Sequence, residues 1–349
     1  MAQIAVYALT KQGAALAARL TRALDAVIYL PESLATQYGG QAFSHLLDQV
    51  REVFFQHERH VFVCATGIVV RAIAPLLQGK DKDPAVVVLD QDGEHAISLL
   101  SGHLGGANAL AREVAALTGG RAVITTATDT AGLPAPDLMA QQAGCTIQDM
   151  GTVKVVSRAL LDGEAVQLHD PQDWLHATQW GRQWAQCFEE IKDLAQWNTA
   201  RPGIVVTHMA DVLGLDTGNI LVLRPPCLAL GMGCRKEVDP GELVAFVNEV
   251  LWKNNLARAS VWKMGTVEAK KDDENMTQAA TLLGLDLEYF SSEILNTVDV
   301  PHPSPGAQKH LGVDSVSEAS ALLLAGSTEL MVPKQATSRA TLAIALRQP

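Results

Sequence analysis

Short apolar runs alternate with amphipathic stretches along the first 130 residues of the chain. Apolar, β-branched runs predict buried strands, and apolar positions three and four residues apart predict helices. The predicted strands span residues 4–9, 26–30, 61–65, 85–89, 96–100 and 122–126, and the predicted helices span 13–24, 43–55, 68–77 and 107–117. The alternation indicates a layered α/β domain with a mostly parallel sheet, interrupted by a hairpin at Asp92-Gly93.

The rest of the chain divides into a less informative middle and a second α/β unit. In the middle the pattern predicts strands at 165–168, 204–207 and 220–223. The consecutive prolines after Arg224 indicate a linker, because they stiffen and extend the chain. Beyond them the predicted strands start at 228, 260, 330 and 341, and the predicted helices span 240–252, 275–283 and 316–324. We therefore expect an N-terminal α/β domain (1–130), a small variable middle domain (131–226) and a separate C-terminal α/β domain (227–349).

Composition narrows the class of protein. Hydrophobic residues make up 48% of the chain, but no apolar run reaches the roughly eighteen residues of a membrane span. The start of the chain lacks the pattern of a secretory signal, and five cysteines without a CxxC pair predict a reducing cytoplasm. A formal charge of −11 argues against nucleic acid as a partner. His57 and His60 predict an exposed helix face rather than a metal site.

The segment 101–108, SGHLGGAN, is the densest candidate site. It follows a predicted strand and begins a predicted helix, and its glycines let the backbone approach a ligand closely. Free N–H groups at a helix start favour an anion. A tight turn in which Ser101 or His103 caps the helix is an equally good interpretation. The segment has neither the dinucleotide nor the P-loop pattern, so a nucleotide is not indicated.

Other polar residues follow neighbouring predicted strands. Asp90 and Asp129 stand in stretches that end predicted strands, and Arg71 stands in the first turn of the helix predicted after another strand. Because ligands collect at the carboxyl ends of strands in open α/β sheets, we expect Asp90, His103 and Asp129 to converge on one crevice. Arg71 is expected near the same edge, where a guanidinium can bind a carboxylate. Each aspartate alone is better explained as a turn cap, and a solvent-facing ion pair with a neighbouring acid is the alternative for Arg71.

The C-terminal unit carries a similar arrangement of strand, glycines and cations at residues 231–236, GMGCRK. Arg235 and Lys236 are candidates for binding an acidic ligand. Cys234 beside these cations fits either a thiol of low pKa or, more simply, a small buried residue.

Several of these segments, in this order, resemble the cobalt-precorrin-5A hydrolase family of cobalamin biosynthesis. The segments that carry the resemblance are TGIVVRAIAP (66–75), KDPAVVV (82–88), LLSGHLGGAN (99–108), ITTATD (124–129), GMGCRK (231–236), KKD (270–272) and GVDSVSEA (312–319). The resemblance covers most of residues 1–130 and 227–349 and is weak between them. Gln91 departs from the family pattern, in which an acidic residue is common at that position, so no mechanism can rest on a carboxylate there.

The resemblance implies a reaction. Enzymes of this family open the δ-lactone of cobalt-precorrin-5A and release acetaldehyde, which gives cobalt-precorrin-5B. Such chemistry needs activated water, a site for the carbonyl oxyanion and a proton relay. The expected catalytic residues are His103 as general base, with Asp90 or Asp129 orienting its imidazole. The expected substrate-binding residues are Arg71, Ser101, Gly102, Gly105, Gly106, Asn108, Thr126, Arg235 and Lys236.

Within that set, the N–H groups of Gly105 and Gly106 are expected to hold the oxyanion, and the three cations to anchor substrate carboxylates. No protein-bound metal or other cofactor is expected, because the substrate carries the cobalt. The expected partners are the polycarboxylate tetrapyrrole and other enzymes of the pathway, and no membrane is expected to bind.

Two other functions compete with the hydrolase. A non-catalytic tetrapyrrole carrier would share the acidic ligand, but the presence of both domains in one chain favours the enzyme. A nucleotide-binding α/β protein would need a phosphate fingerprint, which this sequence lacks.

Overall fold

The computed structural model describes residues 3–79, 82–178, 183–212, 214 and 217–349. The chain forms two compact units, Met1–Leu138 and Met139–Pro349. Within the described ranges, no helix is long and apolar enough to cross a membrane.

Unit 1 is an α/β layer structure. Its strands are β1 (Ile4–Ala8), β2 (Val27–Pro31), β3 (Gln41–Phe43), β4 (Arg59–Val63), β5 (Ala85–Leu89), β6 (His95–Leu100) and β7 (Arg121–Val123). Its helices are α1 (Lys11–Leu24), α2 (Glu32–Tyr38), α3 (Leu46–Val53), α4 (Thr66–Ile73), α5 (Ala107–Thr118) and α6 (Ala127–Ala131), with a 3-10 turn at Ala74–Leu76. A further helix, α7 (Pro136–Gln142), begins in this unit and ends in the next.

The seven strands form one sheet in the order β3-β2-β1-β4-β5-β6-β7. The first five are parallel, as the alternation of strands and helices predicts. The β5–β6 hairpin reverses the direction, and β7 runs parallel to β6. The strands β6 and β7 therefore end at the opposite edge of the sheet from β1, β4 and β5.

Apolar residues fill both faces of this sheet. One core lies under α1 and α5 and the other under α3 and α4. The prediction that His57 and His60 lie on an exposed helix face is wrong, because both side chains are buried and His60 belongs to β4. They hydrogen-bond the hydroxyls of Tyr29 (2.9 Å) and Tyr7 (3.2 Å), respectively.

The described residues of unit 2 form two sheets. Its strands are β8 (Thr146–Ile147), β9 (Val166–His169), β10 (Phe188–Glu190), β11 (Gly203–Val206), β12 (Ile220–Arg224), β13 (Leu228–Cys234), β14 (Val261–Val267), β15 (Asp286–Phe290), β16 (Leu330–Ala336) and β17 (Ala340–Leu346). Its α-helices are α8 (Met150–Leu161), α9 (Pro240–Lys253), α10 (Glu274–Leu283), α11 (Ser292–Leu295), α12 (Pro305–Leu311) and α13 (Val316–Ala325). Short 3-10 helices lie at Ala185–Cys187, Leu194–Gln196, Arg258–Ser260 and Glu268–Lys270.

The first sheet of unit 2 has the order β10-β9-β11-β12-β8, and the second has the order β15-β14-β13-β17-β16. One hydrophobic core contains residues of both sheets, from Leu221 of β12 to Leu230 of β13. Arg224 is the buried last residue of β12, so it does not belong to an exposed linker as the sequence suggested. The mixed α/β class predicted for the chain is confirmed.

Candidate functional site

The loop 101–106 of unit 1 connects the end of β6 to the start of α5. Ser101 takes a left-handed conformation (φ 56°), which is uncommon for a residue other than glycine, asparagine or aspartate. Its hydroxyl donates to the carbonyl of Asp83 (2.8 Å), and its own carbonyl accepts from the N–H of Ala107 (3.1 Å). A Cβ on Gly105 would lie 2.9 Å from the Ser101 carbonyl oxygen, so this position needs glycine. The result is a compact loop that carries His103.

The imidazole of His103 lies between two carboxylates. Its Nε2 is 3.1 Å from Asp129 Oδ2, and its Nδ1 is 3.4 Å from Asp137 Oδ1. The three side chains are 17%, 18% and 10% exposed, respectively, so water screens the charges only partly. The Thr128 hydroxyl also lies 3.3 Å from Nε2. Both ring nitrogens therefore face negatively charged acceptors.

This geometry favours the doubly protonated ring. The hydrogen bond to Asp137 is the largest cause that raises the pKa of His103 above its ordinary value, and the interactions with Asp129 raise it further. Burial opposes the rise without cancelling it. When both ring nitrogens carry a proton, the imidazole has no lone pair to take a proton from water. The geometry therefore favours proton donation as the first act of His103, and the general-base role expected from the sequence stays a prediction.

A histidine titration measures this charge directly. We expect the His103 ring to titrate above about 6.5, the usual value for histidine. Because the pKa is raised in the folded state, the interaction stabilises unit 1 below the unfolded pKa, and the stabilisation is lost as pH rises through the folded pKa. NMR of labelled histidine rings gives the midpoint, which Asp137→Asn should lower. A His103 midpoint at or below 6.5 in the wild-type chain would show that the carboxylates do not hold the proton.

Asn108 holds Asp129 in place. Its side chain is buried, and its Oδ1 accepts from the Ser98 hydroxyl (2.7 Å). Its Nδ2 then donates to Thr126 Oγ1 (3.0 Å) and to Asp129 Oδ2 (2.9 Å). These hydrogen bonds give Asn108 and Thr126 a positioning role, and the substrate contact expected of both residues stays a prediction. Arg112 completes the cluster with an ion pair to Asp129 Oδ1 at 2.6 Å.

The glycines of the loop do not act as one anion cradle. The N–H of Gly106 donates to the His103 carbonyl (2.8 Å), so Gly106 has no free donor for an oxyanion. A Cβ on Gly102 would lie 2.8 Å from Asn108 Oδ1, which makes Gly102 a packing glycine. The N–H of Gly105 has no acceptor among the described residues, and it remains the candidate oxyanion donor.

Asp90 and Arg71 lie away from this cluster, contrary to the expected single crevice. Asp90 follows β5, whose end pairs with the start of β6, so it lies at the opposite edge of the sheet from His103. Its carboxylate accepts the N–H groups of Asp92, Glu94 and His95, as a turn cap does. Burial is the largest single influence on the pKa of Asp90 and raises it. The hydrogen bonds together outweigh burial, so the pKa lies below its ordinary value.

Arg71 belongs to the helix that follows β4, which ends at the same edge as β5. Its guanidinium donates to the carbonyl of Gly67 (2.8 Å), within its own helix.

Sequence reasoning missed Asp137, Arg112 and Thr128. Arg112 was detectable, because it stands four residues after Asn108 on one helix face. Asp137 is the second residue of α7, directly after Pro136, and nothing in its local pattern indicates that it faces His103.

The segment 231–236 of unit 2 differs from the predicted glycine turn. Gly231 and Gly233 lie inside β13, and a Cβ on Gly231 would collide with the backbone of α13. Arg235 and Lys236 follow the strand and are exposed, which leaves them able to meet an acidic ligand. The ammonium of Lys270 donates to the Arg235 carbonyl (3.0 Å) and pairs with Asp273 (2.6 Å).

Cys234 is a half-buried residue rather than an activated thiol. Burial is the largest influence and raises its pKa, while the nearby Lys270 opposes the rise. In the described part of the chain, no group of three or more His, Cys, Asp and Glu side chains is arranged to hold a metal ion.

Three family profiles match successive parts of the chain. The profile described as cobalamin synthesis G N-terminal matches residues 48–129, and the cobalamin biosynthesis central region matches 134–225. The profile of the cobalamin synthesis G C-terminus matches residues 228–345.

Curated relatives match nearly the whole chain. A protein of Priestia megaterium named cobalt-precorrin-5A hydrolase is 32% identical, over 98% of this chain and 94% of its own length. A protein of the same name from Salmonella typhimurium is 34% identical, over 92% of this chain and 91% of its own length. A solved cobalamin biosynthesis protein G homologue from Sulfolobus solfataricus is 19% identical over 99% of this chain and 97% of its own, with a TM-score of 0.40.

Proposed function

The chain belongs to the cobalamin synthesis G family of cobalt-precorrin-5A hydrolases, and from this premise we propose that it opens the δ-lactone of cobalt-precorrin-5A and releases acetaldehyde. Membership of the family makes the protein an enzyme of cobalamin biosynthesis. The observation that carries the finer proposal is the His103 imidazole, held between Asp129 and Asp137 on a half-buried glycine loop.

The ring-opening step uses the proton that the two carboxylates hold on His103. Water attacks the lactone carbonyl carbon, and the bond from that carbon to the ring oxygen breaks. The imidazolium donates its proton to the departing alkoxide, which becomes a hydroxyl group. The attacking water loses one proton to solvent as it adds, and the acid formed from the carbonyl loses the second to solvent as it becomes a carboxylate. The N–H of Gly105 is the donor that can reach the carbonyl oxyanion while the tetrahedral intermediate lasts.

The carbon–carbon cleavage then reverses the direction of proton transfer. The neutral imidazole takes back the hydroxyl proton, and the carbon–oxygen double bond of acetaldehyde forms. The bond to the macrocycle breaks, and its electron pair remains on the macrocycle. His103 ends as the imidazolium with which it began, so one residue serves as acid and then as base. The raised pKa of His103 supports both proton transfers. Asp129 and Asp137 hold the proton that the ring donates in the first step, and they stabilise the proton that it takes back in the second.

The remaining expected residues have supporting roles in this proposal. Asp129 and Asp137 orient and charge the imidazole, and Asn108 and Arg112 hold Asp129. Arg235 and Lys236 are exposed cations suited to substrate carboxylates. Asp90 and Arg71 have no part in the proton relay, because they lie at the other edge of the sheet. The substrate carries the cobalt, so the proposal requires no cofactor.

An anaerobic assay of the purified chain with cobalt-precorrin-5A tests the proposal. We expect one acetaldehyde per tetrapyrrole, trapped and counted, together with the mass of the ring-opened product. In water enriched in ¹⁸O, the heavy oxygen should enter the new carboxylate, because water attacks the carbonyl carbon. Label that enters acetaldehyde by direct attack on its carbon, after correction for exchange, would contradict this route. Tight binding of the tetrapyrrole without acetaldehyde would indicate a carrier instead.

A further inference from the structure

A cavity of 370 Å³ lies within unit 2, far along the chain from the His103 loop. Its lining includes Thr146 and Gln148 from the region of β8, Arg224 at the end of β12, and Arg258 beside two alanines in the turn before β14. Among the described residues that line it there are two guanidinium groups and no carboxylate.

Arg224 places a positive charge at the base of this cavity without a matching negative charge. The residue is only 3% exposed. Its five N–H groups donate to neutral oxygens: Gln148 Oε1 and the carbonyls of Thr207, Met209 and Ala210. No carboxylate pairs with it in the described ranges, whereas a buried charge is normally paired. The hydrogen bonds satisfy the guanidinium and leave its charge uncompensated.

The pKa values near Arg224 agree with an uncompensated charge. Burial lowers the pKa of Arg224 from its ordinary value. Burial is also the main cause that lowers the pKa of His208, and the charge of Arg224 lowers it further. A negatively charged ligand would offset the free-energy cost of burying the positive charge of Arg224.

Several donors at the rim remain available to such a ligand. Gln148 turns its oxygen to Arg224, so its amide N–H groups point elsewhere. One nitrogen of Arg258 donates weakly to the carbonyls of Leu282 and Leu283 (3.3 Å each), and the other two have no acceptor among the described residues.

We infer that this cavity binds a carboxylate group of a polycarboxylate tetrapyrrole, with Arg258 and Gln148 donating to it and Arg224 supplying buried positive charge. The volume lies at the small end of the range of about 300–1,000 Å³ for small-molecule sites, so the cavity suits an acidic side arm rather than a macrocycle. The identity of the ligand rests on the proposed function, but the carboxylate chemistry of the cavity does not.

Binding of uroporphyrin, a stable octacarboxylate porphyrin, to the full chain tests the inference. Arg258→Gln removes an exposed charge, and Gln148→Glu places a carboxylate against Arg224 while keeping the acceptor oxygen. Each variant should weaken the binding of uroporphyrin about tenfold, the effect of losing one charge-assisted contact. Arg158→Gln is the matched control, since Arg158 is an exposed arginine on α8 outside the cavity, and it should leave binding unchanged.

Titration with succinate separates the two sources of a carboxylate. If succinate binds with the same sensitivity to both variants and uroporphyrin does not bind, the ligand is a free small acid and the tetrapyrrole assignment is overturned. If neither variant weakens the binding of either probe, the cavity is no carboxylate site. The acetaldehyde assay is read separately: normal release by wild type with an unchanged KM in Arg258→Gln would leave the proposed function standing and remove this inference.

Discussion

His103→Gln is expected to lower kcat for acetaldehyde release by roughly a thousandfold while the chain stays folded. A positioned general acid or base typically speeds an enzymatic reaction by a factor of about 10²–10⁴, and His103 serves both steps of the proposed relay. Glutamine keeps a donor of similar reach toward Asp129, so the loop should survive the change. Single-turnover acetaldehyde release under anaerobic conditions gives the rate, and circular dichroism gives the fold.

His95→Gln is the matched control for this variant. His95 is a histidine of the same unit that lies beside Asp90 at the opposite edge of the sheet. Its replacement should change kcat less than twofold. If both histidine variants lose activity together, or if His103→Gln stays within twofold of wild type, His103 is not the proton relay.

The pH profile separates a catalytic from a merely structural role for His103. Removing one carboxylate with Asp137→Asn takes away the largest cause of the raised pKa. The alkaline limb of kcat, where the imidazolium is lost, should then move to lower pH. A variant that only loosened the loop would lower kcat without moving that limb.

Local pattern was sufficient for most elements of the fold. The sequence predicted β5 with the bounds that the structure has, because five apolar residues in a row fill a strand buried on both faces. It missed β15, Asp286–Phe290, in which two acidic residues break the apolar pattern. That strand forms because β14 offers it a parallel partner, and such a partner is a tertiary effect.

The candidate site was only partly predictable, for a topological reason. The hairpin at Asp92-Gly93 was recognised, and it also determines which strand ends can meet. Because β6 runs antiparallel to β5 and parallel to β7, His103, which follows β6, lies at the same edge of the sheet as Asp129, which follows β7. Asp90 follows β5 and therefore lies at the opposite edge. Asp137 was not predictable, because its contact with His103 spans 34 residues and depends on how α7 packs.

The glycines of residues 231–236 also show that local sequence pattern cannot predict a long-range contact. Those of the GMGCRK segment were interpreted as a ligand-binding turn. In the structure, Gly231 lies inside β13, where α13 crosses close to the strand. A close approach of two backbones and a close approach of backbone to ligand require the same residue. Only the three-dimensional contact distinguishes them.

Gly231→Ala is therefore expected to destabilise unit 2 more than an ordinary surface substitution would. The new Cβ would lie 2.6 Å from the backbone nitrogen of Ala321 and 2.7 Å from Ser320 Oγ, and closer still to the Ser317 carbonyl. Those three residues of α13 are buried, so the helix cannot move aside without opening the core. We expect the free energy of unfolding to fall by about 3 kcal/mol, the upper range for overpacking in a core.

Tryptophan fluorescence in urea isolates this effect, because all six tryptophans of the chain lie in unit 2. Gly306→Ala is the matched control. The nearest atom to a Cβ there is Ser304 Oγ at 3.9 Å, so the free energy of unfolding should stay within about 0.5 kcal/mol of wild type. If Gly231→Ala also stays within that margin, α13 does not pack on β13 as closely as the structure has it. Gly231 would then again be a candidate for the close approach of a ligand, as the sequence first suggested.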